Sequence, residues 1–201
     1  MNHGGYLSGL YQIFQGTNLG PGSRVLQSSS YAWTPCIIES MSCLWNGGCL
    51  CIPSETAKQN NLSQVFDDMR ITWAFLSPSI IKTIKRESVN HLESLMLAGE
   101  PVSQELVSKW SSKKTKVWIL WAATEVANLA RPGDFAENSN VQNLGRCKAI
   151  CRIVEPGNPE KQVPIGSVGE IVVHAPWIAN EYVNDREQTA EKFLDRPDCE
   201  Y

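Results

Sequence analysis

Residues 24–53 read RVLQSSSYAWTPCIIESMSCLWNGGCLCIP, and three segments separate within them. Arg24-Val25-Leu26-Gln27-Ser28 is a short run suited to a strand. Ile37 to Trp45 is long and apolar enough for a helix, which Asn46-Gly47-Gly48 would end because glycine accepts the left-handed backbone of a helix terminus. Cys49-Leu50-Cys51-Ile52 is a second strand, closed by Pro53. Strand, helix and strand in that order make one β-α-β unit, the repeating piece of a parallel sheet with crossover helices.

The same texture continues outward. Leu62, Val65, Phe66 and Met69 fall at i, i+3, i+4 and i+7, so Asn61 to Met69 is predicted to be a helix, led in from Ser54. Thr72 to Leu76 follows as a strand, and Ser77-Pro78-Ser79 supplies an N-cap and an N1 proline for another helix. Leu92 to Ala98 is an apolar run ending at Gly99-Glu100-Pro101, before a helix at Ser103 to Trp110 and a strand at Val117 to Trp121. Residues 1–130 are therefore predicted to form an α/β part. Beyond Arg131-Pro132-Gly133, glycine and proline become frequent and the apolar runs shorten to Ile150 to Val154 and Val168 to Val173, which predicts a β-rich part over 131–201 of the same domain. Glu155 to Glu160 reads as a turn, and Asp185 to Leu194 as a capped surface helix.

Composition narrows the function. The chain has 201 residues, 42% hydrophobic and 19% charged, which suits a globular protein that buries about 70% of its unfolded surface. Lys+Arg 18 against Asp+Glu 21 gives a net charge of −3, and no basic run exceeds the pair Lys113-Lys114, so nucleic acid is set aside as a partner. No stretch approaches the roughly 20 apolar residues that span a bilayer, and Met1 to Gly20 lacks the marks of a secretory signal, so a soluble cytoplasmic protein without membrane contact is expected. The seven cysteines, Cys36, Cys43, Cys49, Cys51, Cys147, Cys151 and Cys199, are odd in number, and three fall in apolar runs, as reduced thiols do. Cys49-x-Cys51 and Cys147-x-x-x-Cys151 lack a partner pair at zinc-site spacing, because His3, His91 and His174 are scattered.

Neither glycine-rich phosphate loop occurs, nor do the minimal signatures of serine hydrolases, zincins or EF-hands. What remains is Thr124-Glu125, just after the predicted strand Val117 to Trp121. Ligands of open α/β sheets lie beyond the carboxyl ends of strands, where a hydroxyl can hold phosphate and a carboxylate Mg²⁺. On spacing alone, the pair reads better as a helix N-cap followed by a first-turn acid.

The order of segments adds a resemblance. Arg24 to Ala32 looks like the approach to the F-D-x-S motif of fungal nonribosomal peptide synthetase adenylation domains, and Gly47-Gly48-Cys49-Leu50-Cys51-Ile52-Pro53-Ser54-Glu55 is close to their G-G-C-L-C-I-P-S-E block. Ile71 to Ser79 and Leu97-Ala98-Gly99-Glu100 are similar to the next two blocks. Pro164 to Ile171 and Asn184 to Ala190 resemble the later G-E-L and N-D-P-x-K-T-A stretches, so nearly the whole chain is covered. The resemblance implies part of the large domain of an adenylate-forming enzyme, its parallel sheet followed by a distorted barrel. It implies ATP-dependent activation of an amino, aryl or hydroxy acid to an acyl-adenylate, then thioester formation on a carrier protein or neighbouring synthetase module, in secondary-metabolite biosynthesis.

In the family's N-x-Y-G-P-T-E motif the aromatic ring meets adenine, the Thr phosphate and the Glu Mg²⁺. Here the stretch is Ile119-Leu120-Trp121-Ala122-Ala123-Thr124-Glu125, so the resemblance gives Trp121, Thr124 and Glu125 to ATP and Glu125 to Mg, with the Asn, Gly and Pro replaced. At F-D-x-S the chain has Trp33-Thr34-Pro35-Cys36, placing Thr34 where the Asp that pairs with an α-ammonium stands. A buried ammonium needs a counter-charge, so the change predicts an acid without a standard α-ammonium, or a weakly selective pocket. The implied pocket walls are Thr34, Pro35, Ile38, Phe75, Met96, Ala98, Leu120, Asn128 and Leu129, of which Ile38, Met96 and Leu120 read equally well as core.

Asn2-His3 looks like the stretch after the family's phosphate loop, which would lie before Met1. The ribose-binding Asp and catalytic Lys would lie beyond Tyr201. A chain truncated at both ends in this way is expected to adenylate weakly or not at all alone, since losing one well-placed donor already costs about 10²–10³ in rate. An uncovered sheet edge or apolar face would also lower its solubility. A partner polypeptide supplying loop and Lys, a non-catalytic interaction protein on a degenerate scaffold, and an acyl-CoA synthetase-like enzyme are the other readings.

Overall fold

The computed structural model describes residues 1–14, 17–126, 133–134, 140–141 and 149–194. Its main sheet contains β1 (Arg24–Leu26), β2 (Cys49–Cys51), β3 (Trp73–Leu76), β4 (Ser94–Leu97) and β5 (Lys116–Ile119), all parallel, with the two-residue β6 (Gly133–Asp134) antiparallel to β5. The order is β2-β1-β3-β4-β5-β6. The crossovers are α2 (Thr34–Trp45), the pair α3 (Glu55–Asn60) and α4 (Leu62–Asp68), α5 (Pro78–Lys82), and α6 (Gln104–Trp110). Each helix predicted between residues 34 and 110 is present, and the α/β class stands.

Alternation along the strands divides the core by face. Leu26, Cys51, Ala74, Leu76, Leu95, Leu97, Val117 and Ile119 meet Val65 and Phe66 of α4, Ile81 of α5, and Leu106, Val107 and Trp110 of α6. Val25, Trp73, Phe75, Met96, Trp118 and Leu120 meet Ile38 and Cys43 of α2, with Leu10 and Ile13 of α1 (His3–Phe14). Both faces are therefore covered, which is why β3 and β4 are buried at every position. Caps set the helix starts: Ser54, Asn61, Ser77 and Ser103 each accept from a backbone N–H of the first turn. At the end of α2, Gly47 takes a φ of 71°, and a Cβ on Gly48 would stand 3.1 Å from the Ser23 carbonyl oxygen.

Helix α1 lies before the stretch in which the strand and helix pattern is read, and its Gly4-Gly5 and Gly9 lower its helix propensity. Burial of Leu10 and Ile13 against the sheet outweighs that propensity, and Asn2 supplies the missing cap by accepting from Gly5 N–H at 2.7 Å.

The later part holds an antiparallel sheet of order β8-β7-β9, built from β7 (Ile150–Glu155), β8 (Asn158–Gln162) and β9 (Glu170–His174). The predicted turn over Glu155 to Glu160 is shorter than expected: Glu155 already pairs with Asn158, so only Pro156-Gly157 turn, with Gly157 at a φ of 75°. Cys151 and Val173 pack on Val126, Ala175 and Trp177, joining this sheet to the segment after β5. Helix α7 (Arg186–Lys192) starts at Asp185, whose carboxylate accepts from Gln188 N–H at 2.9 Å. The five described cysteines are free thiols, and Cys147 and Cys199 lie outside the described residues. Among the described residues no helix is long and apolar enough to cross a membrane.

Candidate functional site

The strand order reverses between β1 and β3, and sheets of this kind bind ligands beyond the carboxyl ends of their strands, near such a reversal. The segments leaving those ends are Gln27 to Trp33 after β1, Ser77 after β3, Ala98 to Pro101 after β4, and Leu120 to Val126 after β5.

Five of the sequence-predicted wall residues come together on one face. Phe75 is in register with Met96, and Met96 with Trp118, across β3, β4 and β5. Ala98 and Leu120 extend the same face past the strand ends, where Leu120 N–H donates to the Leu97 carbonyl at 3.0 Å, and Ile38 closes it from α2. Trp118 was missed because it read only as strand core, and Tyr6 because α1 itself was missed. The Tyr6 ring packs on this cluster and also on Val126 and Trp177, so it joins the walls to the region after β5. Its hydroxyl is buried with no hydrogen-bond partner among the described residues, and burial pushes its pKa well up. Thr34 is the exposed first residue of α2, and Pro35 is half-buried behind it. The Trp33 ring lies over Gly99, whose φ of 85° turns the chain at the exit of β4. Asn128 and Leu129 lie outside the described residues.

Thr124 and Glu125 are the two central residues of a tight turn, not a helix N-cap. Ala123 and Val126 exchange backbone hydrogen bonds of 3.3 and 3.2 Å across them, and Val126 bridges to Ile178. Ala122 and Ala123 keep negative φ, so replacing the family's Gly and Pro imposes no left-handed strain. Trp121, 42% exposed, and Thr124 face solvent, while Glu125 is half-buried. Glu125 Oε1 accepts from the Tyr182 hydroxyl, and its carbonyl accepts from Ala179 N–H at 2.7 Å. The carboxylate's hydrogen bond pushes the Tyr182 pKa up to about 12. Lys192 of α7 is also raised, first by its hydrogen bond to Glu191 and lastly by the charge of Glu125.

A second carboxylate went unnoticed in the sequence. Glu39 is fully buried on the inward stripe of α2, three residues after Cys36 and four before Cys43. It accepts from Ser29 N–H at 3.2 Å, Ser29 Oγ at 2.8 Å, Ser28 Oγ at 3.3 Å and Gln27 Nε2 at 3.4 Å, so it pins the segment leaving β1. Lys58 Nζ donates to Gln27 Oε1 at 3.1 Å from the far side. The findable signal was one acid inside an apolar helical run, preceded by a run of hydroxyl donors after a strand.

A crevice of about 640 Å³ opens at the exits of β1 and β3, lined by Ser28, Lys58, Asn61, Ser79 and Thr83 among others. None of the sequence-predicted residues lines it; it lies toward α3, α4 and α5, across the sheet from Phe75 and Met96.

Among the described residues no group of three His, Cys, Asp or Glu side chains converges on a metal-sized site. Mg²⁺ takes one or two carboxylates and fills its octahedron with phosphate oxygens and water. Glu125, with Oε2 as a further acceptor, and the Thr124 hydroxyl are a donor set of that kind, and the exposed Trp121 ring suits a purine.

Comparison with known proteins shows the family. The family model described as AMP-binding enzyme matches residues 1–183. Malformin synthetase mlfA of Aspergillus neoniger (strain CBS 115656) is 33% identical over 198 residues, 98% of this chain and 4% of that protein's length. Among solved structures, the Vibrio cholerae adenylation domain AlmE in complex with glycyl-adenosine-5'-phosphate superposes with a TM-score of 0.82 at 19% identity, over 98% of this chain and 40% of that one. Holo-PA1221, an NRPS protein containing adenylation and PCP domains, gives 0.74 at 19% identity, over 94% and 35%.

Proposed function

Because the chain belongs to the AMP-binding enzyme family, we propose that it forms the acid-binding and part of the nucleotide-binding surface of a peptide-synthetase adenylation domain. The reaction is attack of a substrate carboxylate on the α-phosphorus of ATP, giving an acyl-adenylate and pyrophosphate, before transfer to a carrier-protein thiol. The observation that carries this reading is the convergence of Ile38, Phe75, Met96, Ala98 and Leu120 on one face, with Trp121, Thr124 and Glu125 following directly from it. The apolar face would take the substrate side chain, the Trp121 ring the adenine, and the Thr124 hydroxyl a phosphate oxygen. Mg²⁺ held at Glu125 would supply charge neutralisation for the triphosphate.

Thr34 at the head of α2 leaves the pocket without the acid that an α-ammonium requires, so the substrate class proposed is an aryl, hydroxy or keto acid. Relatives such as malformin synthetase mlfA and the two-domain PA1221 protein support a setting with a carrier protein and neighbouring modules.

The test is calorimetric titration of the full chain with non-hydrolysable aroyl- and aminoacyl-adenylate analogues, alongside acid-dependent ATP–pyrophosphate exchange. Saturable binding that Phe75→Ala and Glu125→Gln both weaken is expected, with the aroyl analogue the tighter. Failure to bind either analogue or Mg²⁺-ATP would leave a non-catalytic scaffold. Analogue binding without exchange would assign the remaining catalytic groups to other polypeptide.

A further inference from the structure

The turn that carries Glu125 is held from a distance. Thr189 of α7 donates its Oγ1 hydrogen to the Asp185 carbonyl at 2.6 Å and accepts from Tyr182 N–H at 3.0 Å. The Tyr182 ring stands edge-on to Phe193, with centroids 5.5 Å apart at 73°. So fixed, the phenol donates to Glu125 Oε1, while Ala179 N–H holds the Glu125 carbonyl and Ile178 bridges Val126. Backbone and side chain of one residue are thus anchored by a segment more than fifty positions downstream.

A half-buried carboxylate on a two-residue turn has little of its own to fix its orientation, and a carboxylate that binds a cation with one oxygen gains from a donor on the other, which sets the free lone pairs. We propose that Tyr182 is a positioning residue for the metal–nucleotide site: its hydroxyl occupies Oε1 of Glu125 and directs Oε2 toward the cation that accompanies ATP. The proposal rests on the assignment of Glu125 to Mg²⁺. It makes α7 and its cap part of the support of the nucleotide site, acting through Tyr182. Loss of an outer partner of this kind typically lowers metal affinity or activity 10- to 100-fold.

The experiment compares ATP affinity with and without Mg²⁺ for the wild-type chain, Tyr182→Phe and Glu125→Gln, with thermal unfolding recorded for each. Phenylalanine keeps the ring on Phe193 and removes only the donor. The expected result is a Mg²⁺-dependent gain in affinity that falls 10- to 100-fold in Tyr182→Phe, while metal-free ATP affinity and the melting midpoint stay near wild type. A Tyr182→Phe chain that keeps the full Mg²⁺ gain, while Glu125→Gln loses it, overturns the positioning role and leaves the site assignment standing. Loss of metal-free affinity and stability together would make Tyr182 a structural contact and also overturn it. A wild-type chain whose ATP binding ignores Mg²⁺ removes the Glu125 assignment and the Tyr182 role with it.

Discussion

Glu39 of α2 accepts from both the backbone N–H and the hydroxyl of Ser29, at 3.2 and 2.8 Å, beneath the segment that leaves the first strand of the sheet. Burial raises the Glu39 pKa above the ordinary carboxylate value, and the hydrogen bonds from Ser29 and Ser28 only partly oppose it. Folded chains therefore hold this proton to higher pH than unfolded ones. The sign follows: stability from this group is full below the ordinary value and is lost as pH rises through the raised one. Urea midpoints measured between about pH 4 and 7 should fall with pH more steeply for the wild type than for Glu39→Gln. Parallel curves would mean that Glu39 ionises normally.

Glu39→Ala tests the same network by deletion. It takes the acceptor from the half-buried Ser29 N–H and the Ser28 and Ser29 hydroxyls and from the buried Gln27 amide, and a buried donor left alone costs about 1–3 kcal/mol. The midpoint should drop clearly, and amide exchange should accelerate first in residues 27–31. A variant as stable as wild type would show that water replaces the carboxylate at no cost.

Much of this architecture is legible in the residues themselves. The strand at Arg24–Leu26 and the helix capped by Ser77 and begun by Pro78 announce themselves through apolar period and cap chemistry, which are local. Helix α1 is not, because its glycines oppose it and only burial of Leu10 and Ile13 under the sheet decides the matter. The candidate site divides likewise. Phe75 and Met96 are visible as apolar strand residues, yet nothing local says that Tyr182 reaches Glu125 or that Glu39 turns inward to Ser29, since both contacts exist only after the chain has folded back.

The Tyr182 phenol offers a spectroscopic check on its contact. Its pKa is pushed from 10.0 to about 12 by donation to Glu125, so it stays neutral where ordinary tyrosines ionise. An unfolded chain would lose this proton near 10 and the folded one near 12, so stability falls as pH rises between the two. Phenolate absorbance titration should show one late-ionising tyrosine fewer in Tyr182→Phe, and Glu125→Gln should bring that component back toward 10.0. An unchanged profile in Glu125→Gln would rule out the hydrogen bond as the cause.

Gly169 leads into β9 where β7 crosses it. A Cβ there would lie 2.3 Å from the Val154 carbonyl oxygen and 2.8 Å from Ile153 Cγ2. The nearer atom is backbone in the central strand of the small sheet and cannot swing aside. Gly169→Ala is expected to cost at least the roughly 1–3 kcal/mol typical of overpacking, whereas Gly157→Asn at the exposed turn should cost far less. Equal midpoints for the two variants would contradict the close approach.

Thr34 is the position where substrate charge can be tested directly. It is the first residue of α2, exposed, after a Trp33 N-cap that makes no side-chain cap bond, so an acid there gains from the helix N-terminus about 0.3–1 kcal/mol whatever the ligand. That gain should appear in the melting midpoint of Thr34→Asp without any acid present. In the proposed pocket the same carboxylate would also meet the α-ammonium of an aminoacyl-adenylate analogue, and a charge-assisted hydrogen bond of about 1.5–3 kcal/mol corresponds to roughly ten- to a hundredfold in affinity. The aroyl analogue has no ammonium and should gain nothing, so the ratio of the two affinities isolates the electrostatic term from the stability term. Thr34→Asn keeps the size and hydrogen-bonding capacity of aspartate without its charge and should leave the ratio near wild type. If asparagine shifts the ratio as far as aspartate, or aspartate tightens both analogues alike, selection does not run through charge at the head of α2, and the preference must be set deeper, by Ile38, Phe75 and Met96.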